Sequence, residues 1–175
     1  GDYFAWGETE PKRFYVWDRY KYCEGTENTL TKYCTNSEYG RVDYKQTLEP
    51  MDDAAHVIWG GNWKIPTRDN AEELIEHCKC TWDTIDNICG CKVQGKNGNC
   101  IFIPAAGSSW NPNSYFMMGE YWCNSIMSYG SIGDDSYEGF PSQAFIFKLT
   151  ENLNFYTSWL SRENGCTIRP VCVSK

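Results

Sequence analysis

Apolar side chains change their spacing several times along the chain, and each change predicts an element. Residues 1–48 carry aromatics in bursts, first Tyr3, Phe4 and Trp6, then Phe14, Tyr15, Trp17, Tyr20 and Tyr22, interrupted by Gly-Glu-Thr-Glu-Pro and by Thr/Asn/Ser clusters. Such bursts predict short strands and packed loops. From Glu49 to Trp59, Pro50 stands at a first helical turn, Asp52 and Asp53 lie at the positive end of the helix dipole, and the stretch ends apolar, which predicts a short helix over 50–57. Thr67 suits an N-cap, and Ala71, Leu74, Ile75 and Cys78 recur at helical spacing, so a second helix is expected over 68–78.

Farther on the spacing suits strands. Residues 91–95 and 100–104 flank Asn97-Gly98, the dipeptide that favours a hairpin. Residues 144–149 and 166–173 read as closing strands, so one small twisted antiparallel sheet is expected to include 100–104, 144–149 and 167–173, with 152–164 as a polar, aromatic connection. Residues 107–140 hold 7 Ser, 5 Gly, 4 Tyr and 3 Asn among 34 positions, which excludes a regular helix and predicts a long ordered loop between fixed strands. Trp6, Trp59, Trp63 and Trp122 are expected to bury and hold the irregular half together. The fold class that follows is α+β, in one domain over 1–175.

Composition narrows the function classes. With 175 residues, 41% hydrophobic and 16% aromatic, the chain can bury a core, and 22% charged residues with a mean hydropathy of −0.58 exclude both a disordered and a membrane-inserted class. No Lys or Arg falls between Lys96 and Lys148, whereas Glu120, Asp134, Asp135 and Glu138 do, and the net charge is −7, so phosphate is repelled and a nucleic-acid partner is not expected. The first residues lack the basic and apolar regions of a secretion signal, so any export signal is expected upstream. Ten Cys, an even number, fit an exported protein with some disulfides, the alternative being ten reduced core thiols in a cytosolic or anaerobic setting.

Several residue groups could carry chemistry. Cys78-x-Cys80 and Cys89-x-Cys91 are too tightly spaced for a relaxed tetrahedral zinc site and are expected to tie the helix end to the following hairpin as disulfides or packed thiols. His56 and His77 are the only imidazoles, neither accompanied by a nucleophile signature, and no catalytic residue is assigned. Asp52-Asp53 and Asp134-Asp135 are either solvated charges or calcium ligands, without an EF-hand pattern. Binding loops use Tyr, Trp, Ser, Gly and Asn, because rigid rings give contact area at low entropy cost while small polar residues adapt their hydrogen bonds. One contiguous exposed ligand-binding patch is therefore expected from Trp110, Asn111, Asn113, Tyr115, Phe116, Asn124, Ile126, Ser128, Tyr129, Tyr156, Ser158 and Trp159.

Longer motifs extend the reading. Gly1-Asp2-Tyr3-Phe4-Ala5-Trp6-Gly7-Glu8-Thr9, Asp52-Asp53-Ala54-Ala55-His56, Trp59-Gly60-Gly61-Asn62-Trp63-Lys64-Ile65-Pro66-Thr67, Asn97-Gly98-Asn99, Ile101-Phe102-Ile103-Pro104-Ala105-Ala106-Gly107, Gly119-x-Tyr121-Trp122 and Arg162-x-x-Gly165-x-x-Ile168-Arg169-Pro170-Val171 span nearly the whole chain. Together they resemble the Fibrobacter succinogenes major paralogous domain, a family also abundant in gut Bacteroides. The resemblance implies a C-type lectin-like fold with two helices, a small antiparallel sheet and long irregular loops. The Pro-Ala-Ala-Gly, Gly-x-Tyr-Trp and Arg-Pro-Val signatures also resemble the variable proteins diversified by retroelements, which display randomised binding residues on this fold. The function implied is an adhesin or receptor-like domain on a bacterial surface, binding protein or glycan. Cys123-Asn124-Ser125 departs from the family's Ser-Ser, Cys80, Cys91 and Cys100 replace aromatic or Ser residues, and the family's upstream strand does not precede Gly1, so the domain is expected to extend upstream. Calcium lectins carry a Glu-Pro-Asn or Gln-Pro-Asp and a Trp-Asn-Asp triplet; Asn111-Pro112-Asn113 alone matches neither, so calcium-mediated sugar binding is not supported and no cofactor is assigned, calcium at the acidic pairs staying the alternative. The fold also resembles the formylglycine-generating sulfatase modifiers, whose paired thiols would fall on Cys123 with Cys166 or Cys172, although no active-site motif surrounds them. A structural domain of an envelope or fibre protein is the third reading.

Overall fold

A computed structural model describes residues 1–109, 118–128, 139–152 and 155–172. Among these, two α-helices and eight strands in three small antiparallel sheets make an α+β fold. Helix α1 (Ala54–Trp59) begins where the Asp53 carboxylate accepts the His56 N–H, after a single 3-10 turn over Pro50–Asp52. The expected helix over 50–57 is thus split, because the better N-cap lies at Asp53 and Pro50 opens only the 3-10 turn. Strand β1 (Trp63–Lys64) follows, and helix α2 (Arg68–His77) is capped as the sequence predicts, Thr67 and Asn70 exchanging side-chain and backbone bonds in a capping box.

Strands β2 (Lys79–Ile85), β3 (Ile88–Gln94) and β4 (Cys100–Pro104) form a meander. Asp86 and Asn87, both with positive φ, make the two-residue turn between β2 and β3. The hairpin expected around Asn97-Gly98 is the β3–β4 pair, in register Gln94 to Cys100 and Cys91 to Ile103. A disulfide joins Cys80 to Cys91 across β2 and β3.

Strands β5 (Met118–Met127), β6 (Phe140–Thr150) and β7 (Phe155–Ser161) form the second meander, and β8 (Val171–Cys172) pairs with β1. The single sheet expected from the sequence is corrected: 100–104, 144–149 and 171–172 belong to three different sheets. Residues 107–140 are not one loop, since β5 runs through them, and 155–161 is a strand rather than a connection.

The β5–β6–β7 sheet is covered on both faces, which is why β5 shows no alternation. One face presents Trp122, Ile126, Ala144 and Ile146 to Trp6, Tyr20, Leu30 and Tyr33 of the N-terminal loops. The other presents Tyr121, Cys123, Phe145 and Phe147 to Ala71 of α2 and to Cys91, Val93 and Ile103. Two indoles lock the first face in a reciprocal clasp: Trp6 Nε1 donates to Cys123 O at 2.9 Å and Trp122 Nε1 to Phe4 O at 2.7 Å. Arg162, fully buried, lies over the rings of Trp6 and Tyr20 and donates to Tyr33 O, Pro141 O and Lys32 O. Trp59 and Trp63, expected in this core, are exposed instead (53% and 38%), because the six-residue α1 buries Ala54 and Ala55 and turns its apolar end outward.

Candidate ligand-binding surface

Of the residues expected to bind ligand, Trp110, Asn111, Asn113, Tyr115, Phe116 and Tyr129 lie outside the described residues, as do Asp134 and Asp135. Asn124 and Ser158 are half-buried, and Tyr156 and Trp159 are exposed. Ile126 and Ser128 are corrected: Ile126, at 1% exposure, belongs to the core against Trp6, and Ser128 is buried with its hydroxyl donating to Gln46 Oε1 at 2.8 Å. Asn124 sits where the β5 register shifts, its N–H donating to Pro66 O and its carbonyl accepting from Leu48 N.

The expectation of one contiguous patch is also corrected for its described members. Tyr156 and Trp159 are three residues apart on β7, and strand side chains alternate, so they occupy opposite faces. Tyr156 stands in a row with Lys148 and Glu120, which form a 2.9 Å ion pair, whereas Trp159 lies opposite Phe145 on the α2 side. Burial alone would lower the Lys148 ammonium, but its bond to Glu120 outweighs that and holds it above the usual lysine value. Met118 pairs with Thr150 and Met127 with Phe140, so the chain enters and leaves β5 at opposite ends of the sheet, about 30 Å apart at strand rise.

Among the described residues, a groove of about 550 Å³ lies at Ser109, beside the base of the expected loop. Asp2, Tyr3, Arg13, Phe14, Tyr15, Ser109 and Asn164 line it. Ser109 N–H donates to Gly165 O at 2.8 Å and Ser109 Oγ accepts from Gly165 N at 2.6 Å, fixing this wall. Only glycine fits at 165, because a Cβ there would stand 2.7 Å from the Tyr15 ring and 2.9 Å from Tyr3. Tyr15 donates its hydroxyl to Tyr3 O, and burial raises its phenol, so it is a fixed neutral wall. Phe14 projects with 55% of its surface open, and the Arg13 guanidinium lies 5.2 Å from its ring centre. Sequence reasoning placed Phe14 and Tyr15 among packed loops and missed this groove, since its walls come from residues about a hundred and more positions apart.

Asp52 and Asp53 differ from their sequence reading as solvated charges or calcium ligands. Asp52 is neither solvated nor open: it accepts from Tyr22 OH and Lys32 Nζ at 2.5 Å each and from Tyr33 OH at 2.7 Å. Asp53 is buried too, accepting from His56 N and from Ile65 N at 2.9 Å. Among the described residues no three His, Cys, Asp or Glu gather as a metal site. Cys123 and Cys166 belong to the separate cores on opposite faces of the sheet, and burial pushes the Cys123 thiol up to about 12 and Cys166 well above its usual value.

No protein-family model, curated protein or solved structure matches the chain.

Proposed function

We propose that the chain is a non-enzymatic ligand-binding domain of adhesin or receptor type, built on a C-type lectin-like fold and exported to a bacterial surface. Its ligand, glycan or protein, sits in the groove between residues 11–16 and Ser109. One observation carries this reading: an open aromatic ring, Phe14, shares a groove with Asp2, Arg13, Asn164 and Ser109. A sugar ring offers one apolar C–H face and a belt of hydroxyls, which such a wall receives by stacking on the ring and hydrogen-bonding to the polar groups. The groove therefore favours the glycan reading. The neutral, buried thiols of Cys123 and Cys166 on opposite faces of the sheet support a binding role over thiol oxidation chemistry.

The test is an array of immobilised oligosaccharides probed with the whole chain and with Phe14→Ala. Selective binding to related sugars, reduced at least about tenfold by Phe14→Ala, is expected. No selective binding, or binding that Phe14→Ala leaves unchanged, would contradict the proposal.

A further inference from the structure

A second cleft, of about 440 Å³, opens on the other side of Tyr3. Among the described residues its lining is mostly apolar, with Ile88, Pro104, Ala106, Tyr121 and Ile168, and Arg169 is the one charged side chain there. The volume falls within the range of small-molecule pockets. Tyr121, only 3% exposed, is fixed at the base of the cleft, stacked on Phe147 with ring centres 4.9 Å apart and planes 6° apart.

The hydrogen-bonding inventory of this cleft is lopsided. Tyr3 OH donates to Ala106 O at 2.5 Å, Tyr121 OH to Pro104 O at 2.6 Å, and Thr167 Oγ1 to Glu120 O at 3.0 Å. Each hydroxyl has one proton, so these three are committed to backbone carbonyls, and the other polar side chains of the lining are Asn87, Cys89 and Arg169. Arg169 makes no hydrogen bond or ion pair with a described residue. A guanidinium is a planar fork of donors with no acceptor, matched by a planar acceptor-only group. In a chain of net charge −7 such an unpaired cation on an apolar wall is a specific feature rather than part of a basic field.

We propose that this cleft binds a small carboxylate with a flat apolar body, the carboxylate on Arg169 and the body against Ile88, Ala106 and Ile168. The site is separate from the groove at Ser109 and stands whether or not that groove takes a glycan. Phosphate alone would meet the same guanidinium but leave the apolar wall wet, so the apolar body distinguishes the two.

Hydrocinnamate, its neutral twin hydrocinnamide and inorganic phosphate serve as probes, titrated into the whole chain and followed by backbone NMR. A peptide-resolved measure of Cys89 alkylation gives a second readout, because the partly exposed Cys89 lines the same cleft. Hydrocinnamate is expected to shift the signals of Cys89, Ala106 and Arg169, to slow alkylation of Cys89, and to bind at least about tenfold more tightly than hydrocinnamide or phosphate. Arg169→Gln should remove that preference while leaving the spectrum of the rest of the chain in place. Equal binding of acid and amide, phosphate binding as tightly as hydrocinnamate, shifts that persist in Arg169→Gln, or no change at these residues in the unaltered chain would each overturn the proposal.

Discussion

Asp52 concentrates more polar contacts than any other carboxylate described above, and it does so in the interior. Burial opposes its charge, but the bonds from Lys32, Tyr22 and Tyr33 more than compensate and hold it below the usual aspartate value. The folded state therefore gains stability from Asp52 above the unfolded carboxylate range, and loses it as pH falls below about 4. Glu163 has the opposite sign: burial pushes its carboxyl up to about 7, and its Oε2 is buried without a hydrogen-bond partner. Its penalty grows as pH rises from the ordinary glutamate range to about 7, where the folded state must give up a proton. Denaturant unfolding across pH should show both limbs. Asp52→Asn is expected to cost about 1.5–3 kcal/mol near neutrality and to flatten the acid limb. Glu163→Gln should be the more stable protein at pH 8, by on the order of 1 kcal/mol, and no more stable at pH 4. Asp52→Asn with an unchanged acid limb would remove the hub from the account.

Elements were legible where a local signal had one reading. Helix α2 had a cap and a helical period, and β3–β4 had Asn-Gly between two apolar runs, so both appear where the sequence predicts them. Strand β2 carried a period-two pattern, Cys80 and Trp82 alternating with Lys79, Thr81 and Asp83, that went unread beside its cysteines. Strand β5 was hidden for a physical reason: buried on both faces, it has no alternation, and the Ser, Gly and Asn on either side of it dominated the count. Tryptophan placement failed similarly, because a six-residue helix has room to bury only one narrow stripe, and Ala54 and Ala55 occupy it. The reciprocal clasp of Trp6 and Trp122 between the N-terminal loops and β5 now separates these tryptophans energetically. Trp122→Ala should cost about 3–5 kcal/mol, combining lost packing with the loss of one of the two hydrogen bonds to the Phe4 carbonyl, the other coming from Cys166 N, whereas Trp59→Ala should change stability by less than about 1 kcal/mol. Equal losses by thermal unfolding would mean that α1 docks differently.

Taken as one molecule, the chain stacks two cores on either side of the β5–β6–β7 sheet and sets two clefts on either side of Tyr3. Strand β5 takes up residues 118–127 of the stretch where the sequence anticipates a displayed loop, and a groove forms where the segment around Phe14 meets Ser109 and Asn164. That meeting joins residues about a hundred and fifty positions apart, a distance over which spacing in a sequence carries no signal. On the proposed glycan reading, Phe14, and not the exposed Trp59, would control recognition. Isothermal titration of the tightest-binding array oligosaccharide into the unaltered chain, Phe14→Ala and Trp59→Ala decides this. The groove assignment predicts that Phe14→Ala weakens binding at least about tenfold while Trp59→Ala binds as the unaltered chain does. Full affinity in Phe14→Ala, or a loss confined to Trp59→Ala, would contradict it.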